Sequence, residues 1–246
     1  MIVSDHIEWR KIKLAICFMR KIFLCMLLLC TSQVMANVVI TGTRVIYPAD
    51  EKEITVKLNN KGNGPVLIQT WIDSGNVNAT PDDIRVPFLI TPPMNRVDPH
   101  KGQTLRISYT GMPRLPDDRE SVFWLNVLEI PPTKMNGAGD NKLQVAFRSR
   151  IKLFYRPASL KDDMTSAAEG IQWQVSGGKL VAVNSSPYFI TLLGVQSAHG
   201  KTESPEEMLI PFGRLTFKNK KGHFTAGEKM IYQYINDWGA VKKIER

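Results

Sequence analysis

Apolar and polar residues alternate with a period of two in a series of short runs separated by turn residues. The longest run is Leu143–Pro157, Leu-Gln-Val-Ala-Phe-Arg-Ser-Arg-Ile-Lys-Leu-Phe-Tyr-Arg-Pro. Its odd positions are Leu143, Val145, Phe147, Ser149, Ile151, Leu153 and Tyr155, all apolar or aromatic except Ser149. Its even positions carry Arg148, Arg150, Lys152 and Arg156, with no acid. Such alternation sends the two sets to opposite faces of a β-strand. The run is long against a typical strand of about five or six residues. Pro157 ends it, because proline has no amide hydrogen for the ladder. One reading is a half-buried sandwich strand with its cations in water. The other is an edge strand lent to another chain, where main-chain hydrogen bonds give affinity and alternate side chains fill pockets.

The same period recurs upstream. Strands are predicted at 37–47, 54–58, 66–72, 86–91, 105–109, 122–130 and 143–155, with Asn59–Pro65 a turn cluster. Short strands with turn signals between them and no amphipathic helix read as an immunoglobulin-like sandwich over 37–158. Residues 157–170 are polar, without an apolar period, and read as a bend or linker. Further strands at 171–175, 180–183, 188–195, 208–210 and 230–235 give a second, smaller sandwich over 159–246. The fold class is therefore all-β, with two β-sandwich domains.

The amino-terminal 36 residues differ in kind. Met19-Arg20-Lys21 precedes the apolar run Ile22–Leu29, and Val34 and Ala36 are small residues at the two recognition positions for cleavage. This is the pattern of a secretory signal peptide over 1–36. Met19 is the more natural start, and residues 1–18 read as either an unusual leader or a misassigned upstream start. The apolar run is well short of the ~20 residues that span a bilayer, so no stable membrane anchor is expected. Leu29-Cys30 is a poor match to a lipoprotein site. All three cysteines, Cys17, Cys25 and Cys30, fall in this segment, which leaves the mature chain without disulfide or thiolate chemistry. Removing it takes five Lys/Arg and two Asp/Glu, and the net charge falls from +9 to +6. That excess suits a cleft for an acidic group. No nucleic-acid motif accompanies it.

Several stretches resemble the periplasmic pilus-assembly chaperones of the PapD type. They are Thr43-Arg44-Val45-Ile46-Tyr47, the long run Leu115–Pro132, Arg150–Pro157, Asn184–Tyr188 and Tyr234-Ile235-Asn236-Asp237-Trp238-Gly239. Chaperone–pilin donor-strand complementation is one form of strand lending. The resemblance implies two immunoglobulin-like domains in an L (boomerang) shape, in the periplasm, with pilin subunits and an outer-membrane usher as partners and with no cofactor. It implies that Arg44 and Lys152 anchor the carboxyl-terminal carboxylate of a subunit. It implies that Leu143, Val145 and Phe147 fill the groove of a subunit lacking its last strand. It implies that Glu120, Arg156 and Asp237 form an interdomain salt bridge. The short loop Pro131–Lys142 resembles the class serving rod-like, adhesin-tipped pili. Some relatives carry a disulfide near the carboxyl end; its absence here should cost stability and leave the mechanism intact.

These roles are physically coherent. Two cations giving charge-assisted hydrogen bonds in a partly shielded site hold a carboxylate far better than a surface pair does. An anchored end also fixes register, since a slip of one residue turns the wrong face of the added strand inward. A subunit lacking a strand exposes apolar core and unpaired backbone, and one lent strand covers both. One point is left open. Lys152 is on the even face, opposite Leu143, Val145 and Phe147, so either a bulge intervenes or the two functions use different faces.

Catalytic sets are absent from the sequence. His100, His199 and His223 lie in polar, loop-like contexts without a legible partner. No metalloprotease, phosphate-loop or nucleophile-elbow motif occurs. Gly137-Ala138-Gly139 precedes a strand, not a helix, and Asp82-Asp83 and Asp117-Asp118 offer too few oxygens for calcium. No catalysis, metal or cofactor is expected. The competing reading is an exported two-domain β-sandwich adhesin or binding module, which would need neither paired cleft cations nor an exposed apolar edge. Whether an idle chain caps itself by dimerising through that edge is left open by the sequence.

Overall fold

The structure, a computed structural model, describes residues 19–20, 37–132, 145–160, 163–197, 202–217, 224–225 and 227–246. The expected leader (apart from Met19 and Arg20), Leu143 and most of the loop Pro131–Lys142 lie outside the described residues.

Two buried clusters divide residues 37–246. The first gathers Val45, Tyr47, Val56, Leu58, Ile68, Leu105, Ile107, Leu125 and Leu153 among others. Around it, strands β1 (Val38–Ile40), β3 (Glu53–Asn60), β7 (Gly102–Tyr109) and β5 (Phe88–Thr91) form one sheet in the order β1-β3-β7-β5. Strands β2 (Arg44–Pro48), β9 (Phe147–Arg156), β8 (Ser121–Ile130), β4 (Val66–Asp73) and β6 (Met94–Val97) form the other, in the order β2-β9-β8-β4-β6. In β3 the buried Val56 and Leu58 are separated by the solvent-facing Lys57 side, the predicted period made real. Each fully buried leucine of this kind is worth about 1.5–3 kcal/mol.

Two differences from the predicted strands matter for the site. The single strand expected at 37–47 is two. β1 pairs antiparallel with β3, and after Thr41-Gly42-Thr43 the chain crosses to the other sheet, where β2 pairs parallel with β9. Gly42 has a positive φ, which relieves the backbone of a side-chain clash at the crossing. A strand, β6, also follows Pro92-Pro93, pairs only with β4, and has no apolar alternation of its own. Buried polar groups are met locally. Tyr47, fully buried, donates its hydroxyl toward the Glu51 and Lys52 carbonyls and accepts from the Tyr109 amide. Asn60 closes the Asn59–Pro65 turn through the Gly64, Val97 and Asp98 carbonyls.

The second cluster includes Met164, Ala168, Ile171, Leu180, Tyr188, Leu192, Leu209, Tyr232 and Tyr234. Strands β10 (Gln172–Ser176), β11 (Lys179–Val183) and β14 (Arg214–Thr216) face β13 (Thr202–Glu203), β12 (Thr191–Ser197), β15 (Met230–Ile235) and β16 (Val241–Glu245), in sheet orders β10-β11-β14 and β13-β12-β15-β16. The stretch read as a linker contains a helix, α1 (Met164–Glu169). The Asp163 side chain caps it, accepting from the Ser166 amide at 2.6 Å. Met164, Ala167 and Ala168 fall three and four residues apart and are buried in the second core.

Candidate functional site: the junction between the sandwiches

The alternation along β9 decides what each face does. Its pairing with β8 is regular from Phe147↔Glu129 to Tyr155↔Ser121, with no bulge. Leu153 and Tyr155 therefore enter the first core. Lys152, Phe154 and Arg156 lie on the other face, from which Phe154 and Arg156 meet Phe189 and Asp237 of the second sandwich. The question left open by the sequence is thus answered for the described residues: the strand is regular and Lys152 is on the face opposite Phe147.

Parallel pairing of β2 with β9 sets Arg44 at the register of Lys152. Arg44 reaches the second sandwich, donating from Nη1 to the Ile235 carbonyl at 3.0 Å, while its Nε is buried without an acceptor. Its guanidinium also lies over the Phe154 ring, 5.7 Å from the centroid. Phe154 in turn meets Phe189 at 6.1 Å. Burial pulls the Arg44 guanidinium below its ordinary value, partly countered by the charges of Asp237 and Glu120. Burial likewise lowers Lys152, and the Arg44 charge lowers it further. Among the described residues neither cation has an ion-pair partner.

Beside them, Arg156 spans the two sandwiches. Its Nε donates to Glu120 Oε1 at 2.8 Å, and its Nη1 and Nη2 grip Asp237 at 2.8 and 3.0 Å. Glu120 uses its other oxygen to accept from the Phe189 amide at 2.9 Å, and its own amide donates to the Pro187 carbonyl. Burial pushes the Glu120 carboxyl upward and Arg156 pulls it partly back. Burial alone would lower Arg156, but the hydrogen bond with Asp237 and the charges of Glu120 and Asp237 hold it well above its ordinary value. The structure therefore brings Glu120, Arg156 and Asp237 together, and sets Arg44 and Lys152 next to them.

The other end of β9 is open. Among the described residues β2 covers its edge only from Lys152 to Arg156, and Phe147–Ile151 pair with β8 alone. Phe147 is 45% exposed and Val145, just before the strand, is 48% exposed. One arrangement is not legible from the motifs. Arg150 pairs with Asp73 through contacts of 2.5 and 3.1 Å and lies 4.7 Å from the Trp124 ring, while Asn126 also holds Asp73 at 2.7 Å. The only hint in the sequence is that Arg150 shares the even face with Lys152. The partner's position, 77 residues away, comes from sheet order.

Two family descriptions match. "Pili and flagellar-assembly chaperone, PapD N-terminal domain" covers residues 37–161, and "Pili assembly chaperone PapD, C-terminal domain" covers 166–246. The chain belongs to the PapD family of pili assembly chaperones. Chaperone protein FimB/FhaD of Bordetella pertussis is 47% identical over 214 residues, 84% of this chain and 86% of the relative. The probable fimbrial chaperone YadV of Escherichia coli is 43% identical over 218 residues, 85% and 89% of the two chains. The YadV chaperone crystal structure superimposes with a TM-score of 0.73 at 40% identity, covering 86% of this chain and 99% of that one. The SafB chaperone of Salmonella enterica, in complex with SafA pilin, superimposes with a TM-score of 0.75 at 26% identity, over 87% and 98%. The role of this pili assembly chaperone is in pilus assembly, and the adhesin reading is not favoured. The all-β fold with two immunoglobulin-like sandwiches is the family's. No described helix is long and apolar enough to cross a membrane.

Proposed function

We propose that the protein is a periplasmic chaperone that binds, folds and caps pilin subunits by donor-strand complementation and delivers them to an outer-membrane usher, without catalysis, metal or cofactor. Arg44 and Lys152 hold the subunit's carboxyl-terminal carboxylate. The single observation that carries this is that two half-buried cations stand side by side, each depressed by burial, with no described acid paired to either. A carboxylate entering there relieves both and gains charge-assisted hydrogen bonds. The uncovered edge of β9 from Phe147 to Ile151 supports the second half of the reading. It offers backbone donors and acceptors beside the exposed Val145 and Phe147, and Leu143 continues the same series. Glu120, Arg156 and Asp237 fix the angle between the sandwiches and thereby the geometry of the cleft that receives the carboxylate. The leader over 1–36 directs export to the periplasm.

Co-expression with a pilin subunit from the same organism, followed by periplasmic purification, tests this reading. The intact protein should carry the subunit and Lys152→Ala should not. A folded, soluble intact protein that carries none would overturn the reading.

A further inference from the structure

The turn between β15 and β16 carries Trp238, which is 83% exposed, far more than any other described tryptophan. An exposed apolar side chain alone means little. This one sits on a backbone held from several directions. The residue before it, Asp237, is gripped by both terminal nitrogens of Arg156. Ile235 accepts the Arg44 hydrogen bond. The residue after it, Gly239, has a positive φ and lies so near Thr43 that an added Cβ would collide with the Thr43 hydroxyl. Within the turn, the Gly239 amide donates to the Asn236 carbonyl at 2.9 Å, and the Ala240 amide to the Asn236 side chain at 2.8 Å. Val241, next along, is also exposed, and β16 pairs only with β15.

The turn is thus tied to the two residues, Thr43 and Arg44, that begin the anchor, yet its largest side chain makes no use of those ties. A fixed backbone presenting a free indole loses little entropy on binding, and tryptophan is enriched where a few residues carry most of an interface. We propose that Trp238 is a contact for the captured subunit, packing on an apolar surface of that polypeptide beside the carboxylate held by Arg44 and Lys152. This rests on the carboxylate-anchor reading above. The occupant is the subunit, and not a second copy of this chain, because the turn that carries the indole is tied to Thr43 and to Arg44, which stands at the register of Lys152, and a second copy of a chain with net charge +9 would bring further positive charge to those cations.

The test compares intact protein, Trp238→Ala, Trp238→Phe, Lys152→Ala and, as an exposed apolar control on another loop, Val77→Ala, each measured against the same purified, co-expressed pilin subunit by competition for release. Thermal unfolding of each variant and gel filtration without subunit run alongside. Trp238→Ala should weaken binding at least about thirtyfold, the scale of an interface hot spot. Trp238→Phe should keep most of the affinity and Val77→Ala all of it, with unfolding temperatures unchanged. The indole fluorescence of intact protein should shift on adding subunit, and that shift should be missing in Trp238→Phe. Intact-level binding by Trp238→Ala, while Lys152→Ala fails, overturns this proposal and leaves the anchor. Weak binding by Trp238→Ala with intact-level binding by Lys152→Ala overturns the anchor and leaves the tryptophan contact. No binding by intact protein overturns both. A change in oligomeric state with Trp238→Ala, and none in subunit affinity, assigns the residue to a contact between copies and overturns the proposal.

Discussion

Arg44 and Lys152 stand at one register on neighbouring parallel strands, two like charges half-buried side by side with no described carboxylate between them. The free protein therefore keeps an unfavourable feature that a captured carboxylate removes, and this has consequences for both stability and binding.

Replacing Lys152 by Met should raise the unfolding temperature of the free protein at pH 7 while abolishing subunit capture. The lysine is lowered by burial and by Arg44, so the folded state releases its proton more readily than the unfolded state. The resulting cost is full below the folded value and is relieved as pH climbs through it toward the ordinary 10.5. The advantage of Lys152→Met should accordingly shrink between pH 7 and about pH 10.5 in thermal melts. A constant or growing advantage would contradict the burial argument.

Arg156→Ala should destabilise by about 3 kcal/mol in urea unfolding, because it leaves Glu120 buried and its charge unpaired. The figure is set at the low end of the range for buried pairs because Arg156 remains 21% exposed. Glu120 is already pushed upward by burial, and loss of the guanidinium pushes it further. A carboxyl raised in the folded state favours folding below its unfolded value and loses that contribution as pH rises through the folded one. The deficit of the variant should therefore be smallest below about pH 4.5, the ordinary value, and widen toward neutrality.

Gly239→Ala should lower the unfolding temperature, since alanine strains at this positive φ and its Cβ meets the Thr43 hydroxyl. The cost is on the order of 1–3 kcal/mol. Adding Thr43→Ala should restore part of it, because only the collision, and not the backbone strain, is relieved. A double variant no better than Gly239→Ala would show that the two residues do not meet.

Phe147→Asp should leave thermal stability within about 0.5 kcal/mol of the intact protein, as expected at an exposed site, while subunit recovery falls to background. Loss of both stability and recovery would place Phe147 in the chaperone's own fold instead of at its lent edge.

Local pattern was enough for much of this. Alternation alone placed β3, β4, β8 and β9, because side chains of a half-buried strand must sort by face whatever their neighbours. Helix α1 was missed: its cap Asp163 and its buried Met164, Ala167 and Ala168 sit in a short polar stretch that reads as a linker. β6 and β16 left no trace of their own. Each borrows its order from a single neighbouring strand, and the charged Lys242 and Lys243 of β16 carry no apolar period.

The sequence by itself determined two sandwiches without cysteine chemistry and a cationic strand of unusual length, because composition and period are properties of the chain read residue by residue. Tertiary structure alone decided that 37–47 splits between two sheets, that β2 covers half of the β9 edge while no other described strand covers the rest, and that Arg150 finds Asp73. It also decided that Trp238 stands free on a turn tied to Thr43, Arg44 and Arg156. Pairing partners and uncovered edges depend on which distant segments a fold sets side by side, and no local pattern carries that information.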